Sequence, residues 1–195
     1  MMSRQLRTPS NQIGPEVLSA ALELLAETGP DGFTVRAIAQ RAGVAPMAIY
    51  NHFDGKNGVL EAIWTDGFEQ LRSDLSETSG DVKTDILNAG LAYRAFALGH
   101  RAHYTVMFMH RFVGFEPSLE AAHTAATAFQ ELVNHVERCQ SEGLFATEKA
   151  TNVAQMMWAT CHGYVSLEIL NENFSDDPDL TYLRLLTWLR DGMAT

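Results

Sequence analysis

Apolar residues recur at helical spacing along almost the whole chain, and no stretch alternates apolar and polar positions over a strand's length. The pattern predicts an all-α protein. Val17, Leu18, Ala21, Leu22 and Leu25 form one face of a first helix, with Pro15 in its opening turn and Gly29-Pro30 at its end. Val35, Ile38, Ala39 and Ala42 make the inward stripe of a second helix, and Ile49 with Phe53 that of a third. From Asp54 a longer helix carries Val59, Leu60, Ile63, Trp64, Phe68, Leu71 and Leu75 on one face and stops near Ser79-Gly80. Further helices are predicted near 82–99, 102–113, 117–142, 148–172 and 179–192. Gly114 with Pro117, Gly143, and Asp176-Asp177-Pro178 separate them.

The densest local signals lie between residues 33 and 56. Thr34 is placed to cap the second helix by accepting from a backbone N–H two or three residues on, and Ala37 at the third position leaves no reciprocal capping box. Gly43 can take the left-handed conformation that ends this helix, and Val44 is apolar enough to plug the angle that follows. Pro46 pushes Ala45 toward extended dihedrals and lacks an N–H where a helix has no use for one, so the third helix starts near 46. With Ile49 and Phe53 turned inward, Pro46, Met47 and Tyr50 share an exposed face. That is the arrangement of a helix-turn-helix, although a glycine between two short helices also describes ordinary αα corners.

Charge changes the picture by its distribution. The net charge is −10, which is unfavourable for a protein that meets a polyanion, yet residues 1–56 hold five basic residues (Arg4, Arg7, Arg36, Arg41, Lys56) and five acidic ones. The remaining 9 basic and 19 acidic residues carry the whole imbalance, which points to two modules with different tasks. The first seventeen residues include Pro9 but no apolar core of a leader, and no apolar run reaches the roughly 18 residues of a membrane span, so a cytoplasmic protein is expected. Cys139 and Cys161 are too few for a disulfide framework and lack CxxC spacing, so buried thiols are expected.

The run Thr34, Ile38, Ala39, Ala42, Gly43, Val44, then Tyr50, His52, Phe53 and Lys56, resembles the N-terminal domain of the TetR family of transcriptional regulators, whose pattern is T-x-x-x-I-A-x-x-A-G-V followed by Y-x-H-F and a lysine. The resemblance implies that Thr34, Tyr50, His52 and Lys56 hold phosphates of double-stranded DNA, whereas Arg36, Ala45, Pro46 and Met47 approach base edges. Arg36 is the one of these four able to make a bidentate contact to guanine, and Pro46 and Met47 can touch thymine methyls. Ala45 stands where relatives often carry serine or threonine, and Gly58 weakens the opening turn of the long helix.

Trp158-Ala159-Thr160-Cys161-His162-Gly163 resembles a W-x-x-x-H-G signature of some TetR-family C-terminal domains. Trp158 and His162 share a helix face and Gly163 permits close helix approach, so packing and ligand contact are both open. A second aromatic and methionine-rich stretch includes Tyr93, Phe96, His103, Tyr104, Met107 and Phe108. At helical spacing such a set is usually core; if it lines a cavity, the ligand is largely apolar with one polar handle met by Tyr104, His103 or His162. His100 and His103, with His110 beyond, are the nearest approach to a metal site but come with no cysteine and no HExxH pattern. No GxSxG, phosphate-cradling glycine loop or argued carboxylate pair is present, so neither an enzyme nor a cofactor is expected.

Together these readings give an expected helix-turn-helix DNA-binding domain over residues 1–56 and a helical ligand-binding and dimerisation domain over 57–195. The resemblance further implies a homodimer joined through the helices near 148–172 and 179–192. It would bind a partly palindromic operator and be released by a small organic effector. A helical adaptor without DNA binding would keep the core of 33–53 but lose Tyr50, His52 and Lys56. A helical metalloprotein would hold stoichiometric metal.

Overall fold

The structure is a computed structural model that describes residues 10–194, with side chains from Ile13 onward. Arg4, Arg7 and Pro9 lie outside the described residues. Every regular element among those described is helical: α1 (Ser10–Thr28), α2 (Val35–Ala42), α3 (Pro46–Phe53), α4 (Lys56–Leu75), α5 (Val82–Gly99), α6 (Arg101–Tyr104), α7 (Leu119–Ser141), α8 (Ala150–Ile169) and α9 (Pro178–Gly192). Pro30–Gly32 forms a 3₁₀ turn, and Phe145 and Ala194 make one isolated β-bridge. No described helix is long and apolar enough to cross a membrane.

The chain divides into two compact units. One comprises Met1–Asp66 with Ala102–Ala121, and the other Gly67–Arg101 with Ala122–Thr195. Packing therefore groups residues differently from the expected split after 56. The chain passes between the units within α4, at the head of α6 and in the first turn of α7.

In the first unit Val17, Leu25, Ile38, Ile49, Leu60 and Ile63 form a core over α1–α4 that also takes in Val106 and Phe112. The Phe112 ring lies 5.8 Å from that of Phe33. Three hydrogen bonds fasten the 114–121 segment to α4. Asn57 donates to the Gly114 carbonyl (2.7 Å), the Ser118 N–H to Glu61 (3.4 Å), and the Trp64 indole to the Ala121 carbonyl (3.3 Å).

This packing explains why the helix expected over 102–113 is cut short. α6 ends at Tyr104, and one π-helical turn over Thr105–Met109 closes with the His110 N–H on the Thr105 carbonyl. The chain then extends at His110 (φ −133, ψ 130), which carries Phe112 into the core. At the other end, α1 begins a turn and a half before its expected start, so Pro15 is its sixth residue rather than part of its opening turn.

The second unit is held by a core that includes Val82, Ile86, Val133, Val136, Phe145 and Met157 and by buried polar links. Arg94 on α5 makes two 2.7 Å hydrogen bonds to Glu168 on α8 and a third ion-pair contact of 2.7 Å to Asp179 on α9. Its guanidinium also sits 5.4 Å from the Tyr182 ring centre. The Tyr182 hydroxyl donates to the Gly90 carbonyl, and burial keeps that phenol protonated far above its ordinary range. A β-carbon at Gly90 would come within 2.5 Å of Leu186, so this glycine sets the approach of α5 to α9.

Asp85, buried on α5, accepts from the Ser79 hydroxyl and N–H and from Arg138. Those donors, the Ser79 hydroxyl foremost, hold its carboxyl well below the usual range. α4 stops at Leu75, short of the expected Ser79-Gly80, which leaves Ser79 outside the helix to donate to Asp85. Both cysteines are buried thiols. Burial pushes Cys139 up to about 11 and raises Cys161.

Candidate functional site

The α2–α3 corner is built from local backbone chemistry. Thr34 is extended (φ −129, ψ 151) and its hydroxyl accepts from the Ala37 N–H at 3.2 Å, ending one orphan donor of α2. Gly43 is left-handed (φ 67, ψ 24), with its N–H on the Gln40 carbonyl and the Val44 N–H on that of Ala39, the paired bonds of a Schellman cap. Ala45 is extended (φ −72, ψ 142) and offers no side-chain cap, so Pro46 at the first helical position carries that start. Arg41 pairs with Glu27 and with Glu23 on α1, which assigns it to fastening α1 to α2.

Ile49 is buried and Phe53 half-buried, and the opposite face of α3 is open. Met47 is 65% and Tyr50 52% exposed, with Pro46, Asn51 and His52 also exposed. Thr34, Arg36 and Ala45 are exposed as well, and Lys56 is half-buried as the first residue of α4. The structure thus gathers the eight residues singled out in sequence onto one compact unit.

The α3–α4 turn gives Gly58 a second role beside the low helix propensity expected of it. Asp54 takes a left-handed conformation (φ 56) and Gly55 follows at φ 91, where a β-carbon would come within 3.1 Å of the Tyr50 ring. A β-carbon at Gly58 would stand 1.4 Å from the Phe53 carbonyl oxygen. Gly58 is therefore demanded by the crossing of α3 over α4, whatever it costs in helix propensity. Sequence offers no signal for that contact because its partner is defined only once the turn has closed.

In the second unit Tyr93 of α5 meets Trp158 and His162 of α8. The Trp158 indole N–H donates to the Tyr93 hydroxyl oxygen (3.2 Å), and that hydroxyl lies 3.0 Å from His162 Nδ1. Since the indole only donates, a one-way chain runs Trp158 to Tyr93 to His162 when the imidazole is neutral with its proton on Nε2. Burial lowers the His162 pKa and favours that neutral form. The Phe129 ring of α7 lies tilted at 5.8 Å from that of Trp158, which is 6.0 Å from His162. Tyr93, singled out in sequence only as one of an aromatic set, is the hub. Gly163 is exposed with nothing within 4 Å of a β-carbon, so among the described residues no helix packs closely on it.

His103, Tyr104, Met107 and Phe108 belong to the first unit and are not grouped with Trp158 and His162. His103 is buried with Nε2 2.8 Å from Asp66 on α4. Tyr104 is fully buried against Phe108, their rings 4.9 Å apart, and Met107 is buried. No group of three or more ligating side chains is placed to hold a metal among the described residues.

A Schellman-capped corner followed by an open helix face is the geometry of a helix-turn-helix. Residues 17–63 match the family described as bacterial regulatory proteins, tetR family, and residues 86–189 match the tetracyclin repressor-like C-terminal domain. The chain belongs to the TetR family of DNA-binding transcriptional regulators, which are not enzymes.

It is 29% identical over 128 residues to the uncharacterized HTH-type transcriptional regulator YvkB of Bacillus subtilis (strain 168), an alignment covering 66% of this chain and 58% of that protein. It is 27% identical over 184 residues to the HTH-type transcriptional repressor KstR2 of Rhodococcus jostii (strain RHA1), covering 89% and 76%. Among solved structures, a TetR variant of Acinetobacter baumannii AYE in complex with minocycline superposes with a TM-score of 0.63 at 26% identity, covering 90% of this chain and 93% of the other.

Proposed function

We propose that the protein is a cytoplasmic homodimeric repressor, released from a palindromic operator when a small organic effector binds the C-terminal half. The observation that carries the DNA reading is the open face of α3 beside a corner whose caps fix its direction. Residues 1–56 act as the DNA-binding domain and 57–195 as the sensing and dimerising one. Thr34, Tyr50, His52 and Lys56 hold phosphates; Lys56 at the head of α4 adds its charge to the unsatisfied backbone N–H groups there. Arg36, Ala45, Pro46 and Met47 approach base edges.

Repression is supported by the KstR2 relative, and a small organic effector by the minocycline-bound neighbour. Trp158 and His162, with Tyr93 and Phe129, suit a flat, largely apolar effector, and His103, Tyr104, Met107 and Phe108 are a second set through which it acts. The dimer is a four-helix bundle of α8 and α9 from each of two copies. Met156, Ala159, Gly163 and Leu167 form an exposed, mostly apolar stripe on α8 that Leu170 continues just past its end, and Leu180, Leu183 and Trp188 are exposed on α9.

Selection of bound sequences from a random DNA pool tests the proposal, with light scattering for the mass in solution. A palindromic consensus bound by a dimer is expected; a non-palindromic winner bound by a monomer refutes the dimer. Lys56→Ala should reduce the log–log salt slope of operator binding by roughly 0.9 per subunit. An unchanged slope removes Lys56 from the phosphate set.

A further inference from the structure

α3 presents a base-reading residue beyond those assigned above. An α-helix advances about 100° per residue, so the inward line of α3 through Ile49 and Phe53 fixes the outward line opposite it. That outward line runs through Met47 and Asn51, one turn apart and both exposed. Tyr50 flanks it on one side and His52 on the other. Asn51 thus occupies the crest of the helix, where a side chain meets the floor of a groove, while the flanking positions face its walls. The Asn51 carboxamide has no hydrogen-bond partner among the described residues, so it is not spent on a turn or on the preceding helical carbonyls.

A carboxamide carries one acceptor and one donor side by side. In the major groove that pair matches adenine, whose N6–H₂ donates and N7 accepts, whereas guanine shows two acceptors there. Met47 offers only apolar surface and fits a thymine methyl. Four residues along a helix span about 6 Å, against a base-pair rise of roughly 3.4 Å. Met47 and Asn51 therefore fall on base pairs within two steps of each other.

We propose that Asn51 is a specificity-determining residue, accepting from N6 and donating to N7 of one adenine in each half-site, with Met47 on a thymine methyl within two base pairs of it. The inference rests on the reading of α3 as the helix that enters the groove.

The test uses the full chain on the operator that it selects from a random pool. Each adenine is replaced in turn by 7-deazaadenine, which lacks the N7 acceptor, and each A·T pair by G·C. At one position per half-site the parent should lose roughly 5- to 150-fold in affinity, and Asn51→Ala should be indifferent to both replacements there while keeping the parent's preferences elsewhere. Uniform weakening of Asn51→Ala on all sequences makes Asn51 a phosphate contact and overturns the proposal. So does a parent unaffected by 7-deazaadenine at every position, a result that needs no variant. Failure of the parent to select any sequence overturns the groove-entry reading itself, a different outcome from an operator that Asn51 does not read.

Discussion

The α2–α3 corner and the Tyr93 cluster are both small polar constructions on helices, yet they are assembled by different means. At the corner every organising contact spans a few residues: Thr34 to Ala37, Gly43 to Gln40, Val44 to Ala39. In the cluster Tyr93 meets Trp158 65 residues and His162 69 residues further along the chain. Local contacts form with little loop-closure entropy, so the reading surface is largely specified by its own segment. The cluster exists only when α5 and α8 are packed. Its geometry is thus tied to whatever shifts those helices, which is the property a sensor needs and a reading head does not.

The largest effect expected from breaking this contrast is at Gly58, where the head depends on a backbone contact across the α3–α4 turn. Gly58→Ala would drive a β-carbon into the Phe53 carbonyl, and a loss on the order of 3–4 kcal/mol in unfolding free energy should follow in chemical denaturation. Wild-type stability would show that the α3–α4 crossing relaxes freely.

Next in size is the cluster. Once a releasing effector is in hand, His162→Ala and Tyr93→Phe should leave operator affinity nearly intact and weaken effector-induced release, on the roughly 1–3 kcal/mol scale of allosteric coupling. Operator titrations with and without effector, alongside thermal melts, measure this. Unaltered release in folded variants makes both residues packing groups.

Thr34→Ala tests the local side and should cost about 1 kcal/mol of stability through the lost α2 cap. It should also weaken DNA binding if the hydroxyl reaches a phosphate. An effect on stability alone leaves Thr34 a cap only.

The smallest effect is in pH. Because His162 is held neutral, its folded pKa lies below the unfolded value of about 6.5, so the stability it contributes is fully present above that pH. It is lost as pH falls through the folded pKa. The melting temperature of the parent should decline slightly more than that of His162→Gln between pH 7 and 5. Parallel curves would show that the imidazole does not titrate differently on folding.

The sequence by itself determined the helical class, the second helix with its Thr34 cap and Gly43 terminus, the start of α3 at Pro46, and the family, because these depend on backbone preferences of a few adjacent residues. The bounds of α5 and α9 were legible for the same reason: capping aspartates, glycine and proline punctuate them, whereas α8, with no such residue at either end, is shorter than its expected 148–172. The tertiary structure decided the rest. It ended α6 early to place Phe112 in the first core, and it made Gly58 a requirement. It turned Gly163 outward, and it divided the aromatic residues between two units. It also made Tyr93 the hub of Trp158 and His162. Each of these turns on which side chain or carbonyl of another element fills the space beside a residue, and helical periodicity, which fixes only the face a residue occupies, does not encode that partner.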